Sequence, residues 1–512
     1  MTPVGRQLRL GTRRSLLAVA QARLVRRALL DRHPELRIEL VEIDTRGDRD
    51  LATPLDRVAA PDFFCAELDR ALLHGRIDFT VHSLKDLGED RPAGIIRAAV
   101  PARENPRDVI VFRGDVMERL RDRQSIRIGT SSARRKHCVA KFLTECLPST
   151  GAEPCLDFVP LRGPVDQRVA RVSAPAAKRE ALDGVVLALA GLARLWRDAD
   201  GRRALRRHLQ DVRWMVLPLS ECPTAPAQGA LALECRTGDE FTRRILADLD
   251  DRATAGLVQR ERDALREFPE ADRPGVGVTA IEHETLGALL YRGGQGSSQH
   301  ISWNQPAGPT PAGSAIPWDG GAWQAPHGRE PLRHELVLPP GTAVFVAHWF
   351  AASDALMRCP RARIWVSGTT SWRKLAERGI WVEGCADNLG FADITATLAC
   401  EVLSLPGLDQ WTVLTRRGAE SGWRDGGVGR VVATYELART NGDDLEKVRD
   451  QVRRATDFFW GSIEQYRAVE AWLPDAARHA CGAGKTAHAL RRAGIESPLV
   501  FPSRQEWRSW LR

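Results

Sequence analysis

The stretch Ile77-Asp78-Phe79-Thr80-Val81-His82-Ser83-Leu84-Lys85-Asp86 decides the fold class, because a strand pattern runs into a charged end. Ile77, Phe79 and Val81 alternate with polar neighbours, which is the period of a half-buried strand. The pattern then gives way to His82, Ser83, Lys85 and Asp86, and open α/β sheets collect their ligands at such strand ends. A carboxylate beside a lysine can move protons and hold a developing cation. A single Lys-Asp pair is by default a surface ion pair, so the weight falls on whether the pattern recurs.

It recurs in both directions along the chain. From Ile126 to Arg135 the sequence reads IRIGTSSARR, a short apolar strand followed by Gly129, Thr130, Ser131 and Ser132 and then two arginines. Small hydroxyl residues ahead of a helical pattern make a helix N-terminus with free amide donors, a natural seat for an anion. Leu8 to Ser15, LRLGTRRS, repeats the design, with Arg13 and Ser15 ahead of a helix that should bury Leu17, Gln21 and Leu24. Leu161-Arg162-Gly163, followed by Arg168, is a fourth instance. Guanidinium groups at four strand ends describe a cleft for a polycarboxylate, since arginine binds carboxylates bidentately and stays charged.

Strand and helix patterns alternate from Leu8 to Val81, through Leu36 to Ile43 and a helix near Glu67 to Leu73, as in an α/β domain with a mostly parallel sheet. Asp48 to Ala60 reads as a polar loop over the cleft, and Pro101 to Arg107 as a hinge into a second α/β domain opening at Asp108. The chain is expected to return to the first domain around Val212 to Leu219. A third segment begins with the charged helix Asp251 to Glu267 and turns into short strands. From Gly293 to Gly341 the composition shifts to Gly, Pro, Ser and Gln, as in a linker. Beyond it, VFVAHWFAASDAL with IWVSGTTSWRKLAERGI is echoed by DFFWGSIEQYRAVEAWL with ACGAGKTAHALRRAGI, so two similar α/β units should flank a second cleft. Gly484-Lys485-Thr486 looks like the end of a phosphate loop, but the position six residues before the lysine is His479 rather than glycine.

At 512 residues the chain needs several cores. The net charge of +8 is spread among acidic residues, so an anionic small substrate explains it as well as nucleic acid does. No stretch has the roughly 18 uninterrupted apolar residues of a membrane span, and the arginines in the first 20 residues do not suit a signal peptide. A cytosolic protein is expected. Ten cysteines without paired CxxC spacing read as reduced thiols rather than disulfides or a zinc site.

The segments LGTRRS, TRGD (Thr45 to Asp48), VHSLKD, IGTSSARR, LRG with Arg168, DGVVLALAGLARL (Asp183 to Leu195) and AQGALALECR (Ala227 to Arg236) resemble, in order and spacing, those of hydroxymethylbilane synthase, also called porphobilinogen deaminase. The resemblance covers about the first 280 residues. It implies two periplasmic-binding-protein-like α/β lobes, residues 1–105 with 205–238 and residues 106–204, and a small α+β third domain at 239–300. It also implies condensation of four porphobilinogen molecules into hydroxymethylbilane with loss of ammonia, by a monomeric enzyme of tetrapyrrole biosynthesis that binds porphobilinogen and linear tetrapyrroles and neither nucleic acid nor membrane. Asp86 matches the family's catalytic aspartate, with Lys85 beside it. Arg13, Ser15, Thr130, Ser131, Arg134, Arg135, Arg162 and Arg168 fall on positions that hold acetate and propionate groups. Phe64 matches a ring stacked near the growing chain, Asp48 belongs to the flanking turn, and Arg57 keeps one positive charge of the cleft loop, where Pro61 and Ala66 replace lysines. Pro164 replaces the asparagine of LRGN.

The family tethers a dipyrromethane primer to a cysteine of its third domain, and here Asp272 occupies that cysteine's place. A covalent dipyrromethane at the usual position is therefore not expected. The primer would be held noncovalently or by another thiol, with Cys65, next to Phe64, as the candidate. The alternative is a regulatory or non-catalytic pyrrole-binding relative. Residues 342–512 resemble uroporphyrinogen-III synthase through Ser367 to Thr370, VVATYEL with Tyr435, and GKTAHALRRAGI, which implies cyclisation to uroporphyrinogen III as a further activity, with 301–341 as the linker between the two parts.

Overall fold

Leu8, Leu10, Phe79, Val81, Leu231 and Leu233 lie on three neighbouring strands and share one apolar cluster, which fixes the first sheet. The computed structural model describes residues 7–45, 65–175, 178–306, 315–320, 329–332, 336–359, 361–424, 426–437 and 442–512. The first sheet comprises β1 (Gln7–Arg13), β2 (Arg37–Ile43), β3 (Phe79–Ser83), β4 (Ile95–Ala99) and β10 (Leu231–Arg236), in the order β2-β1-β3-β10-β4. β1 runs parallel to β2 and β3, while β10 runs antiparallel to β3 and β4. β3 is buried along Phe79, Thr80, Val81 and His82, not on one face alone. As a central strand it is covered on both sides, so its polar face meets a buried charged network instead of water.

The second sheet repeats this plan with β5 (Asp108–Arg113), β6 (Ile126–Gly129), β7 (Leu156–Val159), β8 (Gly184–Ala188) and β9 (Val212–Val216), in the order β7-β6-β8-β5-β9. In each sheet the strand that carries the chain in or out of the lobe is inserted antiparallel, β10 in the first and β5 in the second. These are two periplasmic-binding-protein-like α/β lobes, joined by two chain crossings. Val212 to Val216 belongs to the second lobe, where it pairs with β5, so that lobe runs to about Val216 and the return strand is Leu231–Arg236. An apolar strand shows that it pairs; which sheet receives it is decided by contacts distant in sequence.

Helix Arg252–Arg266 packs on the antiparallel sheet of β11 (Val276–His283), β12 (Gly287–Gly294) and β13 (Ser297–Ser302), giving the third domain. Two further sheets follow. β14 (Pro317–Trp318) joins β21 (Asp457–Trp460), β22 (Arg478–Gly482) and β23 (Leu499–Phe501), while β15 (Arg329–Pro331) edges β20 (Arg430–Leu437), β19 (Thr412–Arg416), β16 (Ala343–Val346), β17 (Arg363–Val366) and β18 (Gly384–Cys385). The stretch read as a linker thus supplies an edge strand to each of the two C-terminal sheets. Trp318 accounts for one of them, since its ring is buried against Phe458 and Trp460.

The C-terminal half is not a unit apart. Ile110, Phe112, Phe142 and Met215 of the second lobe share one core with Trp372, Ile380, Trp381 and Val382. Trp381 Nε1 donates to the Trp214 carbonyl at 3.0 Å, and Val216 N–H donates to the Glu383 carbonyl at 2.7 Å, so β9 and β18 meet edge to edge. The third domain adds Leu286, Leu289 and Trp303 to a cluster with Phe459, Phe501 and Trp507. Among the described residues, no helix is long and apolar enough to cross a membrane.

Candidate active site

β3 ends at Ser83, and a single 3-10 turn, Leu84–Asp86, carries Lys85 and Asp86 beyond the strand end. Leu84 anchors the turn, fully buried, and its amide donates to the Ala230 carbonyl at 3.0 Å. Asp86 is exposed. Its negative charge favours the protonated forms of both Lys85, in its own lobe, and Arg168, in the other. Burial, with Arg135 and Arg134 adding to it, lowers the Lys85 ammonium to a pKa of about 8 against the opposing pull of Asp86 and Asp108. Arg168 is lowered to about 10 by burial and by Arg135 and Arg162, and its Nε donates to the Gly163 carbonyl at 2.6 Å.

The hydroxyl-rich strand end of the second lobe braces the loop beside it. Ser131 Oγ donates to the Leu161 carbonyl at 3.0 Å and accepts from the Leu161 amide at 2.9 Å, which fixes the entry to Arg162. Thr130 Oγ1 accepts from Ser132 N–H, and Ser132 Oγ caps helix Ala133–Cys146 by accepting from the Arg135 amide. Among the described residues, Arg162 Nη1 is buried without a hydrogen-bond partner. In the first lobe Ser15 caps helix Leu16–Arg32. That helix buries Gln21, as its period predicts, but Leu17 and Leu24 only partly. Gln21 Nε2 donates to Ser83 Oγ at 3.0 Å, tying the helix to the end of β3. Arg13 ends β1, and its charge disfavours protonation of His82.

Arg134 and Arg135 differ from the expectation of two forks open to the cleft. Arg134 Nη2 and Arg135 Nη2 donate to the two oxygens of Asp108 at 2.9 and 2.7 Å, and both guanidiniums are buried. Arg134 Nη1 also donates to the Pro223 carbonyl, and Arg135 Nη1 to that of Val186. Burial alone would raise the Asp108 carboxyl, but Arg135, Arg134 and the hydrogen bond from Gln228 outweigh it and hold it well below the usual range. Gln228 Nε2 donates to Asp108 Oδ1 at 2.8 Å, and its Oε1 accepts from Lys85 Nζ at 3.2 Å. One polar chain therefore runs from Arg134 and Arg135 through Asp108 and Gln228 to Lys85, from the second lobe to the first.

The sequence expectations give Asp108 and Gln228 no role in the site. The signal for Asp108 was present, since an acid heading the buried strand DVIVFR must find cationic partners. Gln228 lies in a tight turn beside Gly229, where φ is +89° and a Cβ would fall 2.4 Å from the Glu104 carbonyl oxygen. Only glycine lets the two chain crossings approach this closely.

Asp48, Arg57 and Phe64 lie outside the described residues. Cys65 is buried, and its thiol is pushed up to about 11 by burial and by Asp69, so it offers little thiolate. It adjoins a network in which Arg91 donates to Asp69 at 2.5 Å and to Glu234 at 2.8 Å, with His82 held neutral by burial. Asp272 is exposed at the start of the turn Arg273–Gly275. No cysteine occurs between Cys235 and Cys359, so the third domain has no thiol and a thioether-linked dipyrromethane does not fit there. Lys485, from the phosphate-loop look-alike, donates to the Gly422 carbonyl at 2.6 Å and lies 3.3 Å from the Trp423 ring centroid.

Residues 8–244 match the family model described as porphobilinogen deaminase, dipyromethane cofactor binding domain. The porphobilinogen deaminase of Syntrophotalea carbinolica is 39% identical over 54% of this chain and 78% of that protein. That of Syntrophus aciditrophicus is 36% identical over 57% and 85%. Among solved structures, the BenM effector-binding domain with benzoate is similar at 17% identity, with a TM-score of 0.25, over 52% of this chain and 95% of that one. CbnR, a LysR family transcriptional regulator, is similar at 14% identity and a TM-score of 0.26, over 48% and 71%. The family model's match ends at residue 244.

Proposed function

The chain belongs, over its N-terminal half, to the porphobilinogen deaminase family, and from that premise we propose that it condenses porphobilinogen into a linear tetrapyrrole at the cleft between its two lobes. The observation that carries this is the placement of exposed Asp86 beside Lys85 at the end of β3, joined through Gln228 and Asp108 to the arginines of the other lobe, with the Asp86 charge acting on Arg168 there. Breaking the aminomethyl C–N bond releases ammonia and leaves an azafulvenium cation, which the Asp86 carboxylate can hold. The free α-carbon of the next pyrrole forms the new C–C bond, and the Asp86 carboxylate can take the proton it sheds. Arg162, whose buried Nη1 has no hydrogen-bond partner among the described residues, and Arg168 supply cations for acetate and propionate groups. Incubating the purified protein with porphobilinogen should release ammonia and form a linear tetrapyrrole; no consumption of porphobilinogen would sink the reading in favour of a pyrrole-binding relative without catalysis.

Lys85 gives this activity a pH signature. Its ammonium is the form that attracts carboxylates, so kcat/KM should fall above pH about 8, and Lys85→Arg should move that fall beyond about pH 10. The sign for stability is opposite. Between about 8 and about 10.4 the unfolded chain still binds the proton that the folded lysine has released, so stability rises with pH there. A kcat/KM profile flat to pH 10 would remove Lys85 from the site.

The missing thiol gives a second prediction. A carboxylate would make an ester-like adduct, a far better leaving group than a thioether, so Asp272 cannot replace the cysteine. Protein from a host that makes porphobilinogen should show the unmodified mass, and its activity should rise when preformed linear bilane is supplied as primer. A mass increase of two pyrrole units that survives denaturation would overturn this. For the C-terminal half, the mainly parallel sheets flanking Ser367 to Thr370 and Gly482 to Thr486 support a reading as a uroporphyrinogen-III synthase-like unit; incubation with hydroxymethylbilane, comparing cyclised isomers, tests it.

A further inference from the structure

We propose that the C-terminal half is part of the N-terminal site, and that Asp387 is a positioning residue for Lys85, acting through the two chain segments that cross between the lobes. The inference rests on the cleft reading above. Asp387 is buried just beyond β18, and its φ of +49° lies in the left-handed region, as does that of Asn388 at +63°. Such a backbone persists only where its surroundings over-determine it. Here the Asp387 carboxylate accepts four hydrogen bonds, all from the N-terminal half. Arg107 Nη2 donates at 3.2 Å, the Leu219 amide at 3.1 Å, the Ser220 amide at 3.4 Å and Ser220 Oγ at 2.7 Å.

These donors lie on both crossings. Arg107 ends the first, from β4 to β5, while Leu219 and Ser220 lie on the second, from β9 to β10. The crossings are also joined to each other, by Glu104 N–H to the Gly229 carbonyl, Leu217 N–H to the Asp108 carbonyl, and Gln228 Nε2 to the Pro106 carbonyl. The residue after Arg107 is Asp108, and the second crossing carries Gln228, so Asp387 holds the backbone on both sides of the polar chain that reaches Lys85. Further contacts act in the same sense. Asn105 Nδ2 donates to Thr397 Oγ1 at 2.7 Å, while its Oδ1 accepts from the Arg107 amide. Arg373 pairs with Glu145 and Glu221, and Trp372 Nε1 donates to the Cys146 carbonyl, so the helix that begins with Arg134 and Arg135 is held at its far end. Both crossings and the helix that carries Arg134 and Arg135 thus take contacts from the C-terminal half.

Asp387→Asn in the full chain is the discriminating variant. Asparagine tolerates the left-handed backbone and keeps one acceptor oxygen, which can still accept from Ser220, but its Nδ2 then stands where Leu219 and Arg107 donate and the charge opposite Arg107 is lost. The expected result is a fall in kcat of about tenfold with KM changed less than twofold, a size typical of coupling through packed networks. Amide hydrogen exchange should quicken at Leu84 to Leu87 as well as at residues 104–108. Wild-type kcat and unchanged exchange at Leu84 to Leu87, with only a lower Tm, would show that Asp387 is an adhesive contact and overturn the proposal. If the wild-type protein does not consume porphobilinogen, the cleft reading fails separately and the exchange at Leu84 to Leu87 still decides whether Asp387 positions that turn.

Discussion

Replacing Asp86 by asparagine is expected to lower kcat at least about 100-fold while leaving the fold intact. The amide has the same shape but can neither take a proton nor balance a full positive charge, and groups with such roles typically contribute 10²-fold or more. Stability should change by less than about 0.5 kcal/mol, because the side chain is exposed and the turn is anchored by Leu84 rather than by Asp86. A second consequence follows from electrostatics. Asp86 raises the Lys85 pKa, so its removal should move the alkaline limb of any residual activity below about 8. Kinetics and a thermal melt on the same preparation check both. A variant that keeps more than a tenth of the wild-type rate would mean that the carboxylate is not the group that holds the cation.

What could be read in the chain follows from how local each signal is. The start of helix Leu16–Arg32 and that of helix Ala133–Cys146 were legible because Ser15 and Ser132 cap them through neighbours three residues away. The turn after β3 was legible for the same reason, as apolar alternation stops where Ser83, Lys85 and Asp86 begin. Choice of partner was not legible. Val212 to Val216 looks like any apolar strand, and only its pairing with β5 assigns it to the second lobe. The docking of the C-terminal half depends on pairs such as Arg107 with Asp387 and Trp214 with Trp381, well over a hundred residues apart, which leave no period in either segment. Pro317 and Trp318 sit in a Gly- and Pro-rich stretch whose composition reads as a linker, yet two residues suffice for an edge strand once Trp318 has Phe458 and Trp460 to pack on. At the candidate site, arginine types and spacing gave the charge of the cleft, but a guanidinium shows no preference in sequence between a ligand carboxylate and one of the protein's own. Asp108 decides that for two of them.

Arg135→Ala is accordingly expected to act on stability first, with a loss of about 3–5 kcal/mol, the range for removing one partner of a buried pair. Asp108 is only 1% exposed, and Arg135 contributes its shortest arginine contact, at 2.7 Å. With Arg135 gone, the carboxylate keeps Arg134 and Gln228 but loses much of what opposes its own desolvation. Its pKa should rise toward the ordinary range. The wild-type Asp108 is depressed, so its contribution is present above the unfolded value of about 3.9 and is lost as pH falls through the folded value. The variant should lose that contribution at higher pH and unfold more readily in mild acid. Arg168→Ala is the contrast: Arg168 lies on the second lobe within reach of the Asp86 charge, its guanidinium donates only to the nearby Gly163 carbonyl among the described residues, and its loss is expected to raise KM with little change in the denaturant midpoint. A double-mutant cycle between Arg135 and Asp108 measures the pair directly, and a coupling well above 1 kcal/mol is expected for two buried, hydrogen-bonded charges. If Arg135→Ala instead keeps wild-type stability and raises KM tenfold, its guanidinium is a ligand contact, and Asp108 is paired well enough by Arg134 and Gln228 alone.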